Sequence, residues 1–424
     1  MQIKLRYRKA FGLPYKMGLG NKDRFELNSV QIEEWLKNPQ PTVLEKSVNK
    51  FSADEPEILA DDSDLEHTNE NAPKNEKSGA FENNNPVHIS GNNVTTKKHP
   101  RVEIKSVNKP KHIGTLVTCN GFEPRALESF RRLVNSSEIE IDRILFIRYK
   151  SARSDKEYDN LDEEYNKILG DCKCEVIEVT TCKKDIIGMI DLNHGITLVD
   201  ITGLQKSLIY WVIKHCAINM DNFYVAYTRA KQYMPTGEEI DSLLDKLHGV
   251  EADRIEALRS VPGGDLSGYI EEKLEPSIGD TSNRPVAIIS PVSVKFRRVQ
   301  ELLENNEFDD IKLIVIKGEE NNRLLEMEIA KNIQAGCNNS EIITVSEDPK
   351  DLIEKFIEIF NKKHSEGNSI VVSLTGTKIQ AMVFAALSSF YNVEQCIYER
   401  PNKYDSKCST GYDETSFFTV YNRM

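Results

Sequence analysis

A long-range repeat constrains this chain more than any other feature. Val199–Cys216 reads VDITGLQKSLIYWVIKHC: an apolar strand, a polar turn with a glycine, then a lysine opening an apolar helical pattern. Val372–Phe390 reads VSLTGTKIQAMVFAALSSF and follows the same plan. Thr202-Gly203 and Thr375-Gly376 stand 173 residues apart. The element Tyr227-x-Arg229-x3-Tyr233 recurs as Tyr398-x-Arg400-x3-Tyr404 at a separation of 171. Apolar strands ending at Ile147 and Ile316 add a third landmark at 169. A period this long does not fit a solenoid and points to a domain of roughly 130 residues present twice.

Around these landmarks, strands and helices alternate. IGTLVTCN, DRILFIRY, CEVIEVTT, GITLVDITG and NFYVAYT read as five strands of the first copy. PVAIIS, IKLIVIK, EIITVS, SIVVSLTG and EQCIYE read as five of the second. Between most of them lie helical patterns, EPRALESFRRLV and PKDLIEKFIEIFNKKH being examples. Such alternation implies βαβ crossovers and mainly parallel sheets, and near-continuous apolar strands imply sheets covered on both faces. The expected class is therefore α/β, with two tandem Rossmann-like domains.

The expected boundaries follow. Residues 1–40 form a small basic module, a β-hairpin and then a helix over 29–38. Residues 41–110 are rich in Asn, Asp, Glu, Ser and Pro and read as a disordered tether, because such a segment cannot offset its ordering entropy by burial. Residues 111–237 and 284–424 are the two Rossmann-like domains, joined by a charged helical bridge at 238–283. The net charge of −12 is unevenly spread. Seven Lys/Arg against one acid fall in residues 1–25, and nine acids against two lysines in residues 51–80. A basic head on an acidic tether suits an effector protein or a nucleic acid as partner for residues 1–40, or contact between head and tether; a plain solvated basic face is the simpler alternative.

No window approaches ~18 consecutive apolar residues, so no membrane span is expected. The N-terminus carries no apolar core of a signal peptide. The eight cysteines are scattered, which suits reduced thiols and a cytoplasmic protein. Cys172, Cys174 and Cys182 lie close together but lack C-x-x-C or His spacing, so no metal is expected. GxxxxGK[ST] and GxGxxG are both missing, and no cofactor is expected.

In an open α/β sheet, ligands bind outside the carboxyl ends of the strands. The loops there, TCNGFEPR and DITGLQK in one copy and ISPVSVK and SLTGTK in the other, supply the candidate ligand-binding residues. Helix N-termini with free N–H groups attract anions. Gly203 and Gly376 admit a close backbone approach. Thr202, Thr375 and Thr377 offer hydroxyls, and Lys206 and Lys378 mobile positive charge. Arg125, Lys295 and Arg298 open the first helices, and Arg229 and Arg400 follow the fifth strands. The plainer alternative is that each T-G is a tight strand-to-helix turn with a solvated lysine.

The turn resembles the N-x-T-G-G-T-K pattern of the CRISPR-associated Rossmann fold (CARF). Asp200–Lys206 keeps the T, G and K spacing but not the second Gly and Thr. Ser373–Lys378 keeps T-G and T-K in one residue fewer. The resemblance covers residues 113–237 and 284–424. It implies two domains meeting about a two-fold axis, with an oligonucleotide second messenger, usually cyclic, bound between them in antiviral defence. Three functions remain open: a sensor signalling to a partner effector, a metal-independent phosphodiesterase degrading the messenger, or an interaction scaffold whose N-terminal module binds a partner.

Overall fold

The computed structural model describes residues 15–17, 25–27, 101–149, 156–190, 195–247, 269–275, 284–318, 321–401 and 409–423. β1 (Tyr15–Met17) and β2 (Phe25–Leu27) pair antiparallel, Lys16 opposite Glu26. They belong to a unit, residues 14–98, separate from the one that holds all later elements. The helix expected over 29–38 and the tether as far as residue 100 lie outside the described residues.

The later strands are β3 (Arg101–Val107), β4 (His112–Cys119), β5 (Glu140–Arg148), β6 (Glu175–Thr180), β7 (Thr197–Asp200), β8 (Asn222–Thr228) and β9 (Gln232–Tyr233), then β10 (Tyr269–Lys273), β11 (Val286–Pro291), β12 (Asp310–Ile316), β13 (Ser340–Val345), β14 (Ser369–Ser373), β15 (Gln395–Pro401), β16 (Ser409–Thr410) and β17 (Thr415–Arg423). The first sheet runs β3-β17-β8-β7-β4-β5-β6 and the second β10-β15-β14-β11-β12-β13. Each has five parallel strands in the same order, with antiparallel strands added beyond the fifth. The fold is thus α/β with mainly parallel sheets, and all ten strands read from the sequence are present. The order reverses between β4 and β7, and between β11 and β14. Such switch points open a crevice at the carboxyl ends of the strands.

Three strands longer than two residues lie where the sequence pattern gave none. β3 falls at the end of the expected tether and β10 inside the bridge, while β17 crosses from the end of the second copy into the first sheet. There β17 sets Phe418 opposite Val225 and Val420 opposite Phe223. β16 pairs with β9, placing Ser409 opposite Tyr233.

The helix Lys206–Asn219 packs on the helix Lys378–Leu387. The latter is buried from Ile379 to Leu387, so it is apolar all round rather than amphipathic. Ile209, Val212, Ile213 and Cys216 share one core with Ala381, Met382, Ala385 and Ala386, and that core continues onto both sheets through Val199 and Val372. The two copies of the repeat meet here, and their T-G turns stand at the N-terminal ends of these two helices.

Candidate ligand site

Each turn is held by its own sheet. In the first copy, buried Asp200 accepts from Thr202 N at 3.0 Å and from Thr118 Oγ1 at 3.4 Å. Thr202 Oγ1 donates to Ser129 Oγ at 3.2 Å and accepts from Thr228 N at 2.9 Å. In the second copy, Ser373 replaces the aspartate. Ser290, Ser373 and Thr375 join their hydroxyls at 2.8 to 3.3 Å, and Thr375 Oγ1 donates to Pro291 O. Both threonines are buried. Their hydroxyls, expected to face an anion, instead tie the turn to the neighbouring strand, as buried hydroxyls must find partners inside the protein.

The helix N-termini are also partly engaged. Gln205 N donates to Tyr149 Oη at 2.7 Å. Thr377 and Gln380 form a capping box: Thr377 N donates to Gln380 Oε1 at 2.7 Å and Gln380 N to Thr377 Oγ1 at 3.2 Å. The glycines have a packing reason too. A Cβ on Gly203 would stand 2.7 Å from Cys119 Sγ, and one on Gly376 would stand 2.5 Å from Pro291 Cβ. In each copy the turn presses against the end of the copy's first strand, at the switch point.

The lysines cross between copies. Lys206 Nζ donates to Thr375 O at 3.1 Å, and Lys378 Nζ donates to Thr202 O. Each lysine thus serves the turn of the other copy. Burial first, then the charges of Arg298, Lys295 and Lys378, push Lys206 well below the ordinary lysine range. Burial brings Lys378 down to about 8, against the pull of Glu123.

Both turns open on one cavity of ≈ 720 Å³. It brings together Arg125, Gly203, Lys206 and Arg229 of the first copy with Lys295, Thr375, Gly376, Thr377 and Lys378 of the second. Thr202 does not line it. Arg400 does not either; its guanidinium pairs with Glu272 across the β10–β15 ladder. Lys231, Arg298 and Arg323 also line the cavity, giving eight basic residues against the four acids Glu123, Glu326, Glu347 and Asp413. In a chain of net charge −12, this concentration of positive charge is local.

The two sides of the cavity differ. Arg125 Nε donates to Glu123 at 2.6 Å, and its Nη1 reaches Thr228 O, Tyr227 Oη and Tyr233 Oη at 3.1 to 3.3 Å. Burial tends to raise the Glu123 pKa, but Arg125, Lys378 and the hydroxyl of Ser409 outweigh it and hold the carboxyl down at about 2. Arg229 and Arg323 share Glu347 at 3.5 and 3.2 Å. Glu123 is the N-cap of the helix that carries Arg125, and no repeat landmark marks it in the sequence. Arg323, from the helix Asn321–Gly336, carried no sequence signal, because no repeat landmark falls there.

Among the described residues no cluster of His, Cys, Asp and Glu is placed to hold a metal. No described helix is long and apolar enough to cross a membrane. No protein-family model matches the sequence, and no curated protein matches it. Among solved structures, the chain is similar to a Type III CRISPR defence DNA nuclease activated by cyclic oligoadenylate, at TM-score 0.42 and 9% identity. The match covers 68% of this chain and 65% of that one, so this chain spans just under two thirds of that protein's length.

Proposed function

We propose that the cavity between the two copies binds a small cyclic or linear oligonucleotide second messenger, and that the protein is a sensor in antiviral defence that signals to a partner effector. The observation that carries this reading is the sharing of one cavity by both T-G turns, with each lysine reaching the opposite turn. A ligand with several phosphates needs cations on more than one side, and basic residues of both copies line this cavity. Its volume lies within the ~300–1,000 Å³ usual for small-ligand sites, which favours a few nucleotides over a long strand. Tyr227 and Tyr233 beside Arg125 offer faces and edges for a base. The antiviral setting comes with the CARF resemblance, and residues 1–40 are the candidate route to an effector.

Calorimetric titration of the full chain with a panel of cyclic and linear oligonucleotides tests the reading. One ligand per chain is expected, since the two copies build a single site. Absence of binding across the panel, or two independent sites per chain, would defeat it.

A further inference from the structure

The residues that open the two matching helices differ. Glu123 is the N-cap of the helix Pro124–Val134 and Phe296 the N-cap of the helix Arg297–Asn305, 173 residues apart, as the T-G turns are. Phe296 is fully buried. Glu123 lines the cavity, with 16% of its side chain exposed. A carboxylate repels phosphate, so its place in a mainly basic cavity points to a different part of a ligand.

The carboxylate is held in a defined pose. Its Oε2 accepts from Arg125 Nε at 2.6 Å and from Ser409 Oγ at 2.8 Å. Ser409 belongs to β16, which the end of the second copy lays beside β9, so two segments distant in sequence clamp one oxygen. Among the described residues no donor reaches the other oxygen, Oε1. Burial works against the charge, but Arg125 and Lys378 outweigh it, so the carboxyl is ionised at neutral pH and can only accept hydrogen bonds. Beside it, Tyr233 Oη lies 3.1 Å from Arg125 Nη1 and 3.2 Å from Tyr227 Oη, while 39% of Tyr233 stays exposed. An exposed ring next to a fixed acceptor matches the two ways a base is gripped, by its face and by its edge. The other acids of the cavity are placed differently: Glu326 and Glu347 both pair with Arg323, and Asp413 is exposed.

A carboxylate discriminates among base edges. Guanine presents two adjacent donors, its ring N–H and its 2-amino group. Adenine presents one amino group beside ring nitrogens whose lone pairs face a carboxylate unfavourably, and the pyrimidines likewise set a single donor beside acceptors. We propose that Glu123 is the specificity-determining residue of the cavity, its Oε1 accepting from the N–H donors of a guanine that packs against Tyr233. The ligand class is then a guanine-containing oligonucleotide. Phe296 cannot make the same reading, so one guanine is read per chain. This deepens the proposed function and rests on that reading for the oligonucleotide, though not for the base.

The test is calorimetry on the full chain with ligands that differ in base alone: cyclic di-guanylate, the mixed cyclic guanylate-adenylate dinucleotide and cyclic di-adenylate. The first two are expected to bind within roughly threefold of each other and about tenfold or more tighter than the third. Hypoxanthine in place of guanine, which removes the 2-amino donor, weakens binding roughly threefold or more. In Glu123→Gln, shown to be folded by thermal melts, the guanine ligands lose about tenfold and the adenine ligand changes less than roughly threefold, because the amide oxygen still serves Arg125 and Ser409. A purely structural Glu123 would weaken all three ligands equally, and that result overturns the proposal. So does a 2′-deoxy guanine ligand that binds as poorly as the adenine one, since the carboxylate would then be reading ribose. Should Glu123→Gln not fold, the hypoxanthine series on the wild type decides. If oligonucleotides bind without regard to base, the guanine subsite falls and the sensor reading stands. If no oligonucleotide binds, the sensor reading falls, and GMP against AMP at millimolar concentration decides the subsite: preference for GMP upholds it, and equal or absent binding overturns it.

Discussion

Lys206 and Lys378 occupy matching places in two copies of one motif, yet they sit in different fields, and pH separates the consequences. Lys378 falls from 10.5 to about 8 because burial disfavours its charged form. Below pH 8 the lysine is protonated in both folded and unfolded chains, and the folded state carries the whole cost of that charge. As pH rises from about 8 to about 10.5 the folded lysine is neutral while the unfolded one is still charged, so the cost is relieved. Relative to Lys378→Met, the wild type is thus expected to gain stability across that window, read as converging or crossing urea midpoints at pH 7 and pH 10. A constant gap between the two proteins would contradict the depressed pKa. The same depression makes a bound phosphate raise the pKa of both lysines, so ligand binding near pH 8 is expected to take up protons. Calorimetry in buffers of different ionisation enthalpy measures that uptake.

The turn glycines make a separate residue-scale prediction. Gly203→Ala and Gly376→Ala each force a Cβ against a neighbour well inside contact distance. Overpacking of this kind costs about 1–3 kcal/mol, and lower urea midpoints for both variants are the expected outcome. The repeat singles out a lysine and a glycine in each turn, so both were legible as candidates. It did not show which turn each lysine reaches, since that depends on how two distant segments pack. Nor did it show that the threonine hydroxyls face inward, because alternation along a turn does not separate a buried hydroxyl from an exposed one.

At the level of elements, the ten parallel strands were legible because each is a short apolar run bounded by turn signals. β3, β10 and β17 were harder to place. Each joins its sheet antiparallel to a strand far away in the sequence, and no local pattern names such a partner. TSFFTVYNR is an acceptable strand anywhere; its place between β8 and β3 comes from long-range pairing. This placement has a consequence that the order of the chain conceals. Removing residues 415–424 deletes the end of the second copy but leaves the first sheet without the strand between β8 and β3. Exchange of the amide hydrogens of β8 is expected to accelerate far more than that of β14, whose neighbours β11 and β15 are untouched. Equal effects on both sheets would mean that β17 contributes little to the first.

Considered as a whole molecule, the two copies of the repeat share an apolar core. One apolar core runs from the first sheet through the paired helices Lys206–Asn219 and Lys378–Leu387 into the second sheet. β17 returns the end of the chain to the first sheet, and β16 pairs with β9. A copy unfolding alone would expose the apolar face of its partner's helix and unpair these strands, so the two copies should open together. The fully buried strands β7 and β14 provide one probe in each copy. Under native conditions the slowest amides of both are expected to report the same opening free energy, the global value. Ile213, fully buried in the first copy's helix, tests the coupling. Ile213→Ala should cost about 2–5 kcal/mol through lost burial and the cavity left behind. If the copies are one cooperative unit, protection falls by the same amount in β14 as in β7, although the substitution lies in the other copy. A loss confined to β7 would show two independently folding domains, and the site between them would then have to form by docking.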